Sequence, residues 1–148
     1  TYRTRAVLAG SVPSIGDSDA HTFLDKEANS LVRYLLFADE AKFPAAGVDG
    51  YPLLLKDFSK NRRQNKMGFS LKDLDLSTRL FRFRCSYMIY SDSFAGLPQE
   101  LKTRVFHKLD QALSIETDSP HFAYLPILEK RTIRSILGET LSGLPKDW

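Results

Sequence analysis

A chain of 148 residues fits one domain and can bury about 68–70% of its unfolded surface. Hydrophobic and charged fractions of 43% and 26% exclude collagen-like and disordered classes. The formal charge is +3, but Lys56 to Lys66 (KDFSKNRRQNK) carries five bases and one acid, so the remaining residues sum to −1 and the basic character belongs to one segment.

The first residue is Thr1, and the chain is expected to be a processed or excised part of a longer polypeptide, with residues 1–148 forming a single helical domain. Thr1 to Gly10 holds two arginines and no apolar stretch long enough for a signal peptide. Within it, Tyr2 to Leu8 is the one stretch whose pattern admits a strand. Asp17-Ser-Asp19 followed by Ala20, Phe23, Leu24, Ala28, Leu31, Val32, Leu35 and Leu36 predicts a capped helix ending near Ala38. Pro44, Gly47 and Gly50 then mark a loop, and Pro52 opens a short helical turn containing Leu53, Leu54, Leu55 and Phe58.

From Asp73 to Ser91, Leu76, Leu80, Phe83, Tyr87 and Tyr90 recur at spacings of four and three, beside a row of Phe81, Cys85, Met88 and Ile89. This predicts a largely buried central helix over about 73–91, capped by Asp75 or Ser77 and interrupted on one face by Arg79, Arg82 and Ser86. Pro98 opens a further helix to about Ser114, with Leu101, Val105, Phe106, Leu109 and Leu113 facing inward. Pro126 opens the last, with Ile127, Leu128, Ile133, Ile136, Leu137 and Leu141 inward and Gly143 as its C′ residue. The only tryptophan, Trp148, reads as a docked tail. The fold class is therefore all-α, a compact bundle of four main helices and a short one around the central helix.

Chemical signatures are sparse. The longest uninterrupted apolar run is five residues, Tyr34 to Ala38, against roughly 20 needed to cross a bilayer. One cysteine excludes an internal disulfide and a zinc site of two or more thiolates. Asp17-x-Asp19-x-His21 suggests a calcium loop, but Thr22 stands where glycine is needed and Ala28 where glutamate is needed, so no metal is assigned. No cofactor is assigned either. Covalent c-type haem lacks its C-x-x-C-H, and a b-type site would draw on a histidine with Met67 or Met88, of which Met88 reads as core filler. Cys85 sits between Arg84 and Ser86, where arginine would activate a thiol, yet its apolar row implies an inert buried one. The basic segment has one aromatic, Phe58, and no stacking platform for nucleic acid. Arginines on a buried helix must reach solvent, pair with acids, or line an anion or partner site.

Leu35-Leu-Phe-Ala-Asp-Glu-Ala41, Phe69-Ser-Leu-Lys-Asp-Leu-Asp-Leu-Ser-Thr-Arg-Leu-Phe81, Cys85-Ser-Tyr-Met-Ile-Tyr-Ser91, the Leu97-Pro98 helix start and Leu144-Pro-Lys-Asp-Trp148 together resemble the C-terminal region of a group of uncharacterised exported bacterial proteins. The similarity runs from about Ser30 onward and implies a cut within a longer chain and a periplasmic location. It implies no activity or catalytic residue.

These readings lead to a non-catalytic helical module that contacts other protein subunits or domains of a larger bacterial assembly. Its expected contact residues are Arg79, Arg82 and Ser86 with Lys60, Arg62 and Arg63 of the basic segment. The alternative is a ligand-binding or enzymatic domain with a pocket along the central helix, using Arg79, Arg82, Tyr87 or His107.

Overall fold

The computed structural model describes the backbone of residues 17–116, 120–146 and 148, and the side chains among these from His21 onward. The possible strand at Tyr2 to Leu8 lies outside them. Among the described residues five α-helices follow in order: α1 (Asp17–Leu35), α2 (Pro52–Phe58), α3 (Asp92–Ala95), α4 (Gln99–Leu113) and α5 (Ile127–Thr140). Two short 3-10 turns, Tyr87–Tyr90 and Pro120–Phe122, accompany them, and among the described residues no strand forms. The protein is all-α.

Spacings of three and four put Ala28, Val32 and Leu35 of α1 on one buried side, continued by Leu36. The helix stops before Ala38 because Phe37 turns left-handed, with φ 51. Ala38 N–H then donates to Arg33 O and Phe37 N–H to Tyr34 O, the paired bonds of a Schellman cap. An L residue in that region costs about 1–2 kcal/mol. Stacking of the Phe37 ring on Phe81, with centroids 5.6 Å apart, offsets part of it.

Helix α1 packs on α4, and α4 on α5. All the inward positions expected of α4, namely Leu101, Val105, Phe106, Leu109 and Leu113, are buried. So are Ile133, Ile136 and Leu137 of α5. Ile127 and Leu128, expected beside them, are exposed. At about 100° per residue, stepping back from the buried trio carries both onto the outer half of the helix. Gly143 does have a positive φ, but α5 ends earlier, with Leu141 as its extended C-cap. Trp148 docks on α5 as expected: its Nε1–H donates to Arg134 O, and the Arg134 guanidinium lies 5.2 Å over its ring.

The central helix over 73–91 does not form. Three of the four expected main helices and the short one are present, and an irregular segment replaces the fourth. Asp75, instead of capping a helix, accepts hydrogen bonds from the hydroxyls of Ser77 and Thr78. Leu76 takes φ 62, its N–H donates to Arg79 O, and the chain reverses so that Leu74 and Phe81 form an isolated antiparallel bridge. Short polar side chains that bond locally in this way compete with helix propagation. Beyond the reversal, Phe81, Phe83 and Cys85 are buried while Arg82 is exposed and Arg84 half-buried. That alternation is the period of extended chain. Met88, expected in the core row, is 49% exposed.

The reversal is braced by the loop after α1. Val48 N–H donates to Leu76 O at 2.9 Å, and Phe43 N–H to Thr78 O at 3.1 Å. Gly47 makes this approach possible, since with φ 71 a Cβ there would lie 2.8 Å from Leu76 O. Gly47→Ala should therefore lose on the order of 1–2 kcal/mol from the backbone conformation alone, and more from the collision. Gly143→Ala, with φ 83 and no atom within 4 Å of the added Cβ, should lose only the first part. Urea midpoints of the two variants measure the difference.

Candidate functional site

An extended segment buried without a sheet neighbour must find other partners for its N–H groups. Arg82 N–H donates to Asp73 O, Cys85 N–H to Phe83 O and Ser86 N–H to Leu35 O. Arg84 N–H reaches Glu129 Oε1 of α5 at 2.7 Å, and the Arg84 guanidinium adds bonds to both oxygens of that carboxylate, at 3.2 and 2.6 Å. This pair is largely buried, with side-chain exposures of 15% and 10%. The guanidinium also lies 5.4 Å over the Tyr124 ring, and the Tyr124 hydroxyl donates to Leu36 O. Burial pushes that phenol up to about 12, against the opposing charge of Arg84.

Beside this anchor is a surface groove of about 590 Å³. Met67 and Phe69 from the loop before the irregular segment, Phe83 within it, and Pro126 and Leu128 at the start of α5 give it an apolar lining. Two of these are unusually open for large apolar side chains: Leu128 is 76% exposed and Met67 60%. Arg79, Arg82 and Arg131 line the same groove. The Arg82 guanidinium lies 4.9 Å over the Phe69 ring and 5.3 Å over that of Phe83. Arg79 is half-buried, and its Nε–H has no hydrogen-bond partner among the described residues. Its contact with Asp75 Oδ2, at 3.9 Å, is an ion pair too long for a hydrogen bond. The Asp75 carboxylate is already occupied by Ser77 and Thr78, whose hydrogen bonds hold it down at about 2.

The nine arginines among the described residues divide cleanly. Arg33, Arg62, Arg84, Arg104 and Arg134 hydrogen-bond to carboxylates, and Arg63 to the carbonyl of Thr140. The three whose side chains donate no hydrogen bond within the described protein are Arg79, Arg82 and Arg131, and all line the one groove. Glu129, the acid among the lining residues, is neutralised by Arg84.

The expected contact residues are thus partly separated. Arg79 and Arg82 share the groove, though not through a common helix face. Ser86 caps the first 3-10 turn by accepting from Met88 N–H, while its own N–H is bound to Leu35 O. Lys60 pairs with Asp57 at 2.6 Å and Arg62 with Asp73 at 2.9 Å. Arg63 reaches the last turn of α5 and lies 4.7 Å over the Tyr90 ring. The basic segment is thereby tied back to its own fold, and these three cations do not line the groove. Arg131 was not among the expected contacts. It lies 49 residues beyond Arg82, and no local pattern connects the two.

Of the groups named for the ligand-binding or enzymatic alternative, Arg79 and Arg82 line the groove, and Tyr87 and His107 lie elsewhere. The central helix along which their pocket was expected does not form, and Tyr87 lines a separate concavity with Arg63, Lys72 and Tyr90. Tyr87 packs edge-on against Phe58 and Phe81, and His107 is exposed on α4 beside a separate concavity that Asp25, Glu100 and Arg104 also line. His21 and His121 are also exposed. Cys85 is fully buried, and desolvation pushes its thiol up to about 12 in spite of the neighbouring Arg84. Among the described residues no cluster of three or more histidine, cysteine, aspartate or glutamate side chains converges as a metal site. No helix among them is long and apolar enough to cross a membrane. Comparison with protein-family models, curated proteins and solved structures finds no match to this chain.

Two outcomes test this arrangement. Glu129→Ala strands the Arg84 N–H and guanidinium together, and should lower stability by roughly 3 kcal/mol, the low end for breaking a buried pair. Chemical denaturation reads it directly. Cys85 should resist a thiol reagent in the native protein at neutral pH and become labelled at the rate of unfolding when urea is added.

Proposed function

We propose that this domain is a non-catalytic helical module that binds other protein subunits of a larger bacterial assembly, in the periplasm. The location rests on the sequence resemblance alone. The binding role rests on one observation: the three described arginines that donate no hydrogen bond within the described residues gather around a groove whose lining includes openly exposed Leu128 and Met67. Arginine and large apolar side chains are enriched at protein interfaces, where the apolar part drives association and the charges select the partner. Guanidinium groups that donate no hydrogen bond within the described residues keep N–H groups for an acceptor outside the chain, so their concentration at one place favours a role in recognition.

Native mass spectrometry of the protein recovered from the periplasmic fraction of its source cells tests both parts. The expected result is a complex of defined mass that is lost in the Arg82→Glu/Arg131→Glu double variant. A chain that runs alone at its cellular concentration overturns the module reading, and recovery from the cytoplasmic fraction overturns the location.

A further inference from the structure

Building on the module reading, we infer that the groove takes an acidic peptide segment of a partner protein, one that presents carboxylates beside a large apolar side chain. The charge count selects the sign. Arg79, Arg82 and Arg131 face the groove, while Glu129 is neutralised by Arg84, so an occupant meets a surplus of positive charge.

Geometry selects carboxylates. The Arg82 guanidinium lies over the Phe69 and Phe83 rings and donates no hydrogen bond within the described residues, which leaves its N–H groups to bond an occupant. A guanidinium held this way is pre-organised for two parallel bonds to one carboxylate. Arg131 is exposed and donates no hydrogen bond within the described residues, and Arg79 brings a buried Nε–H that has no acceptor among them.

The lining selects a peptide over a nucleic acid. Single-stranded nucleic acid gains affinity by stacking bases on open aromatic faces. Here Arg82 covers Phe69 and Phe83, and Phe69 meets Phe83 edge-on. The accessible apolar surface is instead aliphatic and thioether, from Leu128 and Met67. Such a surface suits a leucine- or phenylalanine-sized side chain, and the thioether adapts to its shape. The chain's own first sixteen residues hold two arginines and no acid, so they lack the matching charge.

The test uses the whole chain and a short fluorescein-labelled peptide that alternates aspartate and glutamate with leucine and phenylalanine. Fluorescence anisotropy should show saturable binding that weakens as salt rises. Arg82→Glu/Arg131→Glu should weaken it by at least about tenfold, and Arg131→Glu alone should weaken it by a smaller factor with an unchanged melting temperature, because Arg131 is exposed and donates no hydrogen bond within the described residues. Leu128→Ser should also weaken it, and Lys26→Glu on exposed α1 should not. A peptide with its apolar residues changed to serine should bind less well. Failure of the acidic peptide to bind, binding indifferent to the arginine reversals or to Leu128→Ser, or tighter binding of a single-stranded RNA oligomer would overturn the assignment. The two readings fail separately. Loss of the groove assignment leaves any native complex intact in the mass spectrum, whereas a solitary chain in that spectrum removes the module even where the peptide binds.

Discussion

Glu129 is placed in the first turn of α5, where the helix dipole favours an acid, and it is met there by both the backbone and the side chain of Arg84. Much of the structure follows from that meeting. The segment from Phe81 to Ser86 is buried but has no neighbouring strand, and a buried N–H left unbonded costs about 1–3 kcal/mol. Glu129 removes that cost at Arg84, and Phe83 and Cys85 on either side can then enter the core. The guanidinium, held on the Tyr124 ring, ties the same point to Leu36 at the end of α1 through the Tyr124 hydroxyl.

The far end of α5 performs a similar task. Arg63 donates to the carbonyl of Thr140, and Lys66 N–H donates to Glu139. Between them Asn65 is buried: its carboxamide oxygen accepts from Met67 and Phe69 N–H, and its amide group donates to Ser135. The loop that carries Met67 and Phe69 is therefore fixed to one helix at several points. This gives the groove a rigid lining although most of it is irregular chain, and rigid surfaces lose less entropy when a partner binds.

Charge placement links the fold to its surface. Most arginines are consumed in holding elements together, and the carboxylates within reach are consumed with them. Asp73 and Glu129 bind arginines, and Asp75 is taken up by hydroxyl groups. The three described guanidinium groups left over fall where the irregular segment meets α5, beside exposed Leu128. The groove thus owes its positive character to the internal pairing of its neighbours.

The all-α class and the three long helices could be read from the chain, because α1, α4 and α5 each carry an apolar stripe at three- and four-residue spacing, with proline entering the last two. The inward face of α4 was legible residue by residue for the same reason. The segment from Asp73 to Ser91 was misread: its apolar residues also fit a helical period, while the signals that mattered were the Ser77-Thr78 hydroxyls beside Asp75 and the alternation Phe81-Arg-Phe-Arg-Cys85. Arg79 and Arg82 stood out as charges in an apolar stretch, yet Arg131 and the exposed Leu128 carried no such mark. Sequence by itself determined the elements whose stability is local, a repeating stripe and its end signals. Only the tertiary structure decided the course of the irregular segment and the membership of the groove. Both depend on which carboxylate, carbonyl or ring satisfies each arginine, and the carboxylate partners lie as many as 79 residues away along the chain.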